Sequence, residues 1–561
     1  MARAVPSPLT QLIDSASYVA NEPLLASDAA DFWSDDTDVL VVGLGAAGAS
    51  AALEARAQGK RVTVLERFEG GGATALSGGI YYGGATEHLQ AAGFDDTPEQ
   101  MYAYLHREIA GAVSDATLRD FCDNSSANLK WLESYGVAFG SRVDTAKRSY
   151  PRAGYDLYYS GNERANSNAS VSTPAPRGHR VSGKGFTGSV LAAKLIQSAE
   201  HRGVIIKRQV RVTRLIVSSS GAVVGVEALA IPAASKAARI HQKLIAKINR
   251  YQRFIPALAL ATLQRIAELE ASAGVIYRLR AHCGVILATG SFAFNRAMVN
   301  QYAANYIDAI PVGTVGCDGS GIRLGQSVGG AISHMDRVSA WRSLSPPISF
   351  VKGIVVNKAG QRFVAEDVYL GHLGRLLVEQ EQDCAWLIVD KSAIKGAYRE
   401  ALPKLNDNWL SFGAPLLLNL LVNLKKSASL SGLAEKCAID EAGLSTTVSA
   451  YNNIVAKELD PLEKSSAYLQ KIESGPYYAL NLSTKNKLFP CPSIPMGGLK
   501  VEEHSGAVLH ENGRVIQGLY AVGRCAVGIP AGFYISGTSL ADCVYSGRRA
   551  AKHACQSMAN Q

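Results

Sequence analysis

Near the C-terminal end, a phenol and a hydroxyl stand two residues apart in Gly532-Phe533-Tyr534-Ile535-Ser536-Gly537-Thr538-Ser539-Leu540. In an extended chain, positions i and i+2 point the same way, so Tyr534 and Ser536 can address one face of a flat molecule. Both are weak acids, the phenol with an ordinary pKa of about 10. Either could exchange a proton, or share a hydrogen bond, with a molecule bound there. The plainer alternatives are a packed aromatic at Tyr534 and a helix N-cap at Ser536, with Ser539 in the next turn.

Such groups need elements that bring a reaction partner to them, and the other end of the chain offers one. Val39-Leu40-Val41-Val42 is an apolar β-branched run, followed by Gly43, Gly45, Ala46, Ala47 and Gly48 and then helix formers from Ala49 to Gln58. Residues 59–66 read as the second parallel strand, closing with Glu66 eighteen positions after Gly48, and Arg67 stands beside it. This is a βαβ unit with a GxGxxG loop. Its glycines permit a tight turn and close backbone approach, and its helix N-terminus faces a pyrophosphate while the acid binds ribose hydroxyls. A dinucleotide is therefore expected. Three later segments favour FAD over NAD: the small-residue loop Gly70 to Gly79, containing Gly72, Thr74, Ser77, Gly78 and Gly79; the strand Gly284 to Leu287 closing in Ala288-Thr289-Gly290; and Gly518-Leu519-Tyr520-Ala521-Val522-Gly523-Arg524, which leads to Ser539 and Leu540.

The 561 residues, 47% hydrophobic and 19% charged, can build two or more cored domains. The expected fold class is α/β: a Rossmann-type FAD-binding domain with an inserted α+β cap (substrate) domain. The expected division is an N-terminal extension 1–35, FAD-binding domain 36–300, cap 301–489 and a return to the FAD-binding domain over 490–561. Within the cap, Gly353 to Asn357 with Gly360-Gln361-Arg362-Phe363 and Glu366 reads as a hairpin. The nine cysteines are scattered and form no CxxC pair, which argues against a zinc site or disulfide framework and for a reducing compartment. No histidine cluster has metal-ligand spacing, so no metal is expected. Nucleic acid is not an expected partner. Residues 1–36 hold no apolar segment like a signal peptide's, and no run of 18 uncharged apolar residues suggests a spanning helix.

Residues 232–276 interrupt a hairpin that leads to the strand at 284. Lys236, Arg239, Lys243, Lys247 and Arg250 recur every three or four residues, beside an apolar stripe of Ile240, Leu244, Ile248, Tyr251, Ile255 and Leu258. A basic border along an apolar face fits a helix lying in a membrane interface, with Phe254 to Leu260 deepest. The stretch Trp409 to Leu424, followed by Lys425 and Lys426, has the same character. A dimer interface or an ordinary core helix pair is the alternative. The basic cluster Arg177, His179, Arg180 and Lys184 can bind phosphate or, more plainly, form a structural turn before a helix at 187–200.

The series GxGxxG, acid, GGxT..SGG, ATG, VN..G.RF..E, GGL and GLYAVGR resembles the fumarate reductase/3-ketosteroid dehydrogenase superfamily of FAD enzymes, over nearly the whole chain. The resemblance implies an active site between the FAD domain and a mobile cap. Fumarate reductases carry a His-Gly-x-Asn-Arg-type motif before the final helix, and the corresponding segment here has no His or Arg to clamp a dicarboxylate. Its Tyr-x-Ser-Gly-x-Ser-Leu is similar to the 3-ketosteroid dehydrogenases that act on the 4,5 bond of 5α-steroids. Δ1-dehydrogenation and a fumarate-reductase-like ene-reductase are the alternatives within the superfamily, and a non-catalytic flavoprotein is the alternative outside it. On this resemblance Tyr534, Ser536 and Gly537 are the catalytic candidates. Relatives add a tyrosine from the cap. The loop at 311–314 has none, and Tyr81, Tyr82, Tyr306 and Tyr369 stand unranked in its place. The implied partners are a steroid substrate, an external electron acceptor that no motif identifies, and a membrane surface reached through 232–276, with the enzyme on the cytoplasmic face. No motif encodes an oligomeric state.

Overall fold

The computed structural model describes residues 16–556 apart from 30, 110, 253–254, 381–382, 403–408, 410–411, 458, 474, 487–488 and 490. Strand β1 (Asp35–Val42) carries the apolar run, and every residue from Val39 to Val42 is buried. It leads through the glycine loop into α1 (Ala46–Ala57) and then β2 (Val62–Glu66). β3 (Ile205–Arg208), β4 (Val210–Val217), β5 (Val223–Ala230) and β6 (Val275–Leu287) complete most of a nine-stranded sheet among the described residues. Its order is β4-β5-β6-β1-β2-β3. Parallel pairing joins β6, β1, β2 and β3, and antiparallel pairing joins β4, β5 and β6. The parallel core is buried on both faces, which is why its strands read as near-continuous apolar runs.

The thirteen-residue β6 changes neighbour along its length. Residues 275–280 pair with β5, and Val285 to Leu287 pair in parallel with the returning strand Val515–Ala521. The two chain ends thus meet at the ATG segment. The final helix, Thr538–Gln556, packs along α1.

Between β5 and β6 lie two helices, α2 (Lys236–Tyr251) and α3 (Pro256–Ala273), which form a hairpin over a small core containing Ile245, Ile248, Leu263, Ile266, Phe294 and Val315. The basic stripe faces solvent. Part of the expected apolar stripe does not: Ile248 is buried and Leu244 packs on the core, leaving Ile240 and Ile255 exposed. Phe254 lies outside the described residues. The reason is a competing protein surface, since the 293–317 region offers apolar partners to that face.

A separate four-stranded antiparallel sheet is built from Ile354–Val356, Trp386–Val389, Leu424–Ser427 and Tyr477–Asn481. The hairpin read at 353–366 reduces to its turn and one bridge, Val356 with Arg362. Arg362 instead forks onto Glu366 and Asp460 at 2.6–2.9 Å, and that buried network sets the local chain path. The described part of the segment 1–35 packs onto the sheet. Ala16 and Val19 are buried, and Leu24–Leu25 pairs with β4; residues 1–15 lie outside the described residues. Among the described residues no helix is long and apolar enough to cross a membrane.

Candidate active site

The loop Gly43 to Gly48 fits a pyrophosphate. A Cβ on Gly48 would stand 2.0 Å from the Gly43 carbonyl oxygen, so only glycine lets helix and strand approach this closely. A Cβ on Gly45 would meet only the Thr74 hydroxyl, at 3.8 Å, which leaves that side of the loop open for a ligand. Gly45 caps α1 without a side-chain acceptor, so the N-terminus of the helix, with its dipole behind it, abuts the glycine loop. Thr74 Oγ1 accepts the Ala46 N–H at 3.1 Å. Glu66 accepts the Leu44 and Phe68 N–H groups at 2.8 Å each, one per carboxylate oxygen. Each oxygen keeps a second lone pair for a ribose hydroxyl. Burial raises this carboxyl's pKa against those two amides.

The second loop is braced from behind. Ser77 Oγ donates to the Thr74 carbonyl at 2.8 Å and accepts the Gly79 N–H at 3.2 Å, while the Gly78 carbonyl accepts from Tyr150 and Thr187 at 2.8 and 3.0 Å. Gly72 lies against Gly45. Ala288 N–H donates to the Val42 carbonyl, and Thr289 Oγ1 accepts the Gly321 N–H at 3.1 Å. Gly290 faces the Cys317 sulfur, Gly523 N–H donates to Ser546, and Leu540 is buried at the start of the final helix. Close contacts join these segments, Ala288 to the Val42 carbonyl and Gly523 against Ala47. The Arg67 guanidinium spends four of its five N–H groups on Glu270, Asp318 and the Ala16 carbonyl. The sequence placed Arg67 beside the ribose acid but could not show the carboxylate, 203 residues away, that captures it.

Tyr534, Ser536 and Gly537 lie immediately before the final helix. Gly537 has φ +99°, and a Cβ there would sit 2.8 Å from the Tyr82 nitrogen, so the left-handed turn needs glycine. Helix bonds start from Gly537, whose carbonyl accepts the Ala541 N–H, so Ser536 is free of capping. The Tyr534 ring stacks on Trp341, with centroids 5.5 Å apart, and the Arg524 guanidinium lies 6.0 Å from its centroid. Arg524 in turn holds Ser539 Oγ at 2.8 Å and the Pro495 carbonyl at 2.9 Å. Burial raises the Tyr534 phenol, and the Arg524 charge, the Gly537 amide and the Ser539 hydroxyl pull it back only in part.

The third hydroxyl is Tyr369, which contacts Ser536 Oγ at 3.1 Å. Burial pushes this phenol well above its ordinary value. Its backbone N–H is fixed by Asn162 Oδ1 at 2.6 Å. Of the other candidates, Tyr81 donates to the Ser125 carbonyl and Tyr82 to Glu163. Tyr306 sits in a short 3-10 helix at 304–306. A fourth phenol had no sequence signal. Tyr158 is 1% exposed, and its hydroxyl has no hydrogen-bond partner at normal reach among the described residues. It lies close enough to Ser536 for that hydroxyl to pull its pKa down against burial. The basic cluster is structural: Arg177 pairs with Asp96 at 2.6 Å, His179 contacts Thr86, and Arg180 holds the Gly183 and Gly185 carbonyls. Among the described residues no His/Cys/Asp/Glu group could hold a metal.

The FAD binding domain family matches residues 38–540. The chain is 38% identical to the 3-oxo-5-alpha-steroid 4-dehydrogenase of Comamonas testosteroni, over 88% of this chain and 93% of that one. It is 26% identical to a 3-oxosteroid 1-dehydrogenase of Mycolicibacterium smegmatis, over 87% and 91%. The crystal structure of the 3-ketosteroid Δ4-(5α)-dehydrogenase of Rhodococcus jostii RHA1, in complex with 4-androstene-3,17-dione, superposes with a TM-score of 0.79 at 31% identity, covering 95% of this chain and 99% of that one.

Proposed function

The chain belongs to the FAD binding domain family, and from that premise we propose that it oxidises a 3-ketosteroid, introducing the 4,5 double bond of a 5α-3-ketosteroid. It is an FAD-dependent oxidoreductase acting on a CH–CH pair. The observation that carries the reading is the Ser536–Tyr369 contact beside Tyr534, three hydroxyls without a carboxylate or histidine base among them. Bound FAD supplies the acceptor for the hydride from the carbon beta to the ketone. The chain's own groups manage the proton. Tyr534 and the Gly537 amide donate to the C3 carbonyl oxygen as charge grows there. Ser536 takes the proton from the alpha carbon while handing its own to Tyr369, which in the same relay releases its phenolic proton toward solvent. Burial keeps Tyr369 and Tyr534 neutral near pH 7, which suits them as donors and carriers rather than as standing anions. Residues 301–489 are the cap, bringing Trp341 and Tyr369 to the site. The glycine loop, Glu66, the 72–79 loop, Ala288 to Gly290, Gly523, Arg524, Ser539 and Leu540 hold the cofactor.

Anaerobic titration tests this directly. A 5α-3-ketosteroid is expected to bleach the bound flavin, and a 4-ene-3-ketosteroid is expected to leave it coloured. Bleaching by the 4-ene substrate alone would point to the 1,2 bond, and bleaching by neither would discard steroid oxidation.

The same enzyme works at a membrane surface on the cytoplasmic side, where it meets steroids dissolved in lipid and feeds their breakdown. Support comes from the helix Gly413–Val422, where Leu418 and Leu421 are 55% and 68% exposed beside the exposed Lys425 and Lys426, and from Ile240 and Ile255 beside the basic stripe of α2. The free cysteines fit a reducing compartment. Leu418→Ser with Leu421→Ser should lower co-sedimentation with phosphatidylglycerol vesicles about tenfold, since two large apolar side chains contribute more than 1 kcal/mol of burial. An unchanged bound fraction would count against this surface.

A further inference from the structure

Glu270, on α3, is 1% exposed and lies among three basic side chains. Arg67 forks onto it, Nε and Nη2 donating to its two oxygens at 2.9 and 2.8 Å. Arg211 of β4 and His241 of α2 each approach it at 3.3 Å. Arg67 also reaches Asp318 at 3.4 Å. Asp318 accepts the Ser320 N–H at 2.9 Å, beside Gly321, which donates to Thr289. Arg67 directly follows Glu66, whose carboxylate holds Leu44 of the glycine loop. One buried carboxylate therefore ties together the end of β2, β4, the 313–318 loop and the ATG segment. The hairpin is fastened to the same loop a second time, where Gln252 accepts the Val315 N–H at 3.2 Å, and Phe68 packs against the shared core. Burial opposes the charge on Glu270, but Arg67 and the His241 bond outweigh it and hold its pKa at about 2. Burial and the charge of Arg67 pull Arg211 down to about 10.

We propose that the α2–α3 insertion braces the adenosine half of the FAD site, with Glu270 as a positioning residue that fixes Arg67 and, through it, the turn after Glu66. Without the carboxylate, two buried guanidiniums face each other with one acid too few. The cheapest relief is for the 66–68 turn to swing outward, carrying the ribose-binding carboxylate with it. The isoalloxazine contacts, from the 72–79 loop and the final helix, are made by other segments and stay in place.

The test compares FAD with FMN, which lacks the adenosine half. Full-length apoprotein is titrated with each, following flavin fluorescence. Glu270→Gln should raise the FAD dissociation constant about tenfold or more, the scale of an unpaired buried charge, and leave that of FMN unchanged, so the preference for FAD collapses. Glu270→Asp, which keeps the charge, should restore much of the preference. At saturating FAD the steroid bleaching rate of the Gln variant should match the parent. Equal loss of FAD and FMN affinity, or wild-type FAD affinity, would overturn the proposal. If the Gln variant does not fold, Arg67→Lys keeps the charge but loses the fork. It should shift the ratio in the same direction by a smaller factor, and equal loss of both flavins would again overturn the proposal.

Discussion

Replacing Tyr534 by phenylalanine should slow anaerobic flavin bleaching by a 5α-3-ketosteroid about 10²–10³-fold, the range for removing one oxyanion donor. The ring and its stack on Trp341 survive the change, and so does the cation beside it, because Arg524 is held by Ser539 and Pro495 rather than by the phenol. What disappears is one O–H. Its loss matters because the phenol is buried and neutral: burial raises its pKa, so across the neutral range it donates fully and is not lost to ionisation. The contribution should therefore be flat with pH up to the ordinary phenol range, about 10, and decline only beyond it. Stopped-flow measurement of the limiting bleaching rate, with the flavin spectrum confirming bound FAD, checks this. A change below about fivefold would leave Tyr534 as a packing residue, since one ordinary neutral hydrogen bond already accounts for that much.

The cofactor cradle was legible in the sequence because it is local. The strand, glycine loop and helix from Asp35 to Ala57 obey short-range rules, and Glu66 follows within one βαβ unit. Tyr534, Ser536 and Gly537 could be named for the same reason: they are near neighbours in the chain, and the left-handed glycine beside them is a local feature. Tyr369 could be named but not ranked, because its meeting with Ser536 spans 167 residues and depends on how the cap folds back. Tyr158 carried no signal, sitting in a two-residue strand with nothing around it but tertiary context. The insertion was misjudged in one respect. Its basic face was legible as exposed, yet periodicity alone does not say whether an apolar stripe meets lipid or protein, and Ile248 meets protein. Glu270 lies outside the basic stripe of the insertion, yet it makes the insertion's most heavily shared buried contact.

The proton's path yields the most demanding expectation. Tyr369→Phe and Ser536→Ala should each reduce the bleaching rate about 10²–10⁴-fold, the range for a positioned proton-transfer group, and the double variant should be no slower than the slower single one. The reason is the 3.1 Å contact: if Ser536 can take the alpha proton only by passing its own to Tyr369, either substitution breaks the same chain. Neither hydroxyl is a base on its own, because burial holds the Tyr369 phenol well above its ordinary value. Serine lacks even that acidity. The pair works by exchange rather than by standing charge, and exchange needs both members. A double-mutant cycle separates this from the alternative in which each hydroxyl touches the steroid independently. Independent contacts would make the two losses multiply, and multiplied losses would rule out Tyr369 as the recipient of the Ser536 proton. Tyr158, the unpartnered phenol beside Ser536, would then be the next recipient to examine.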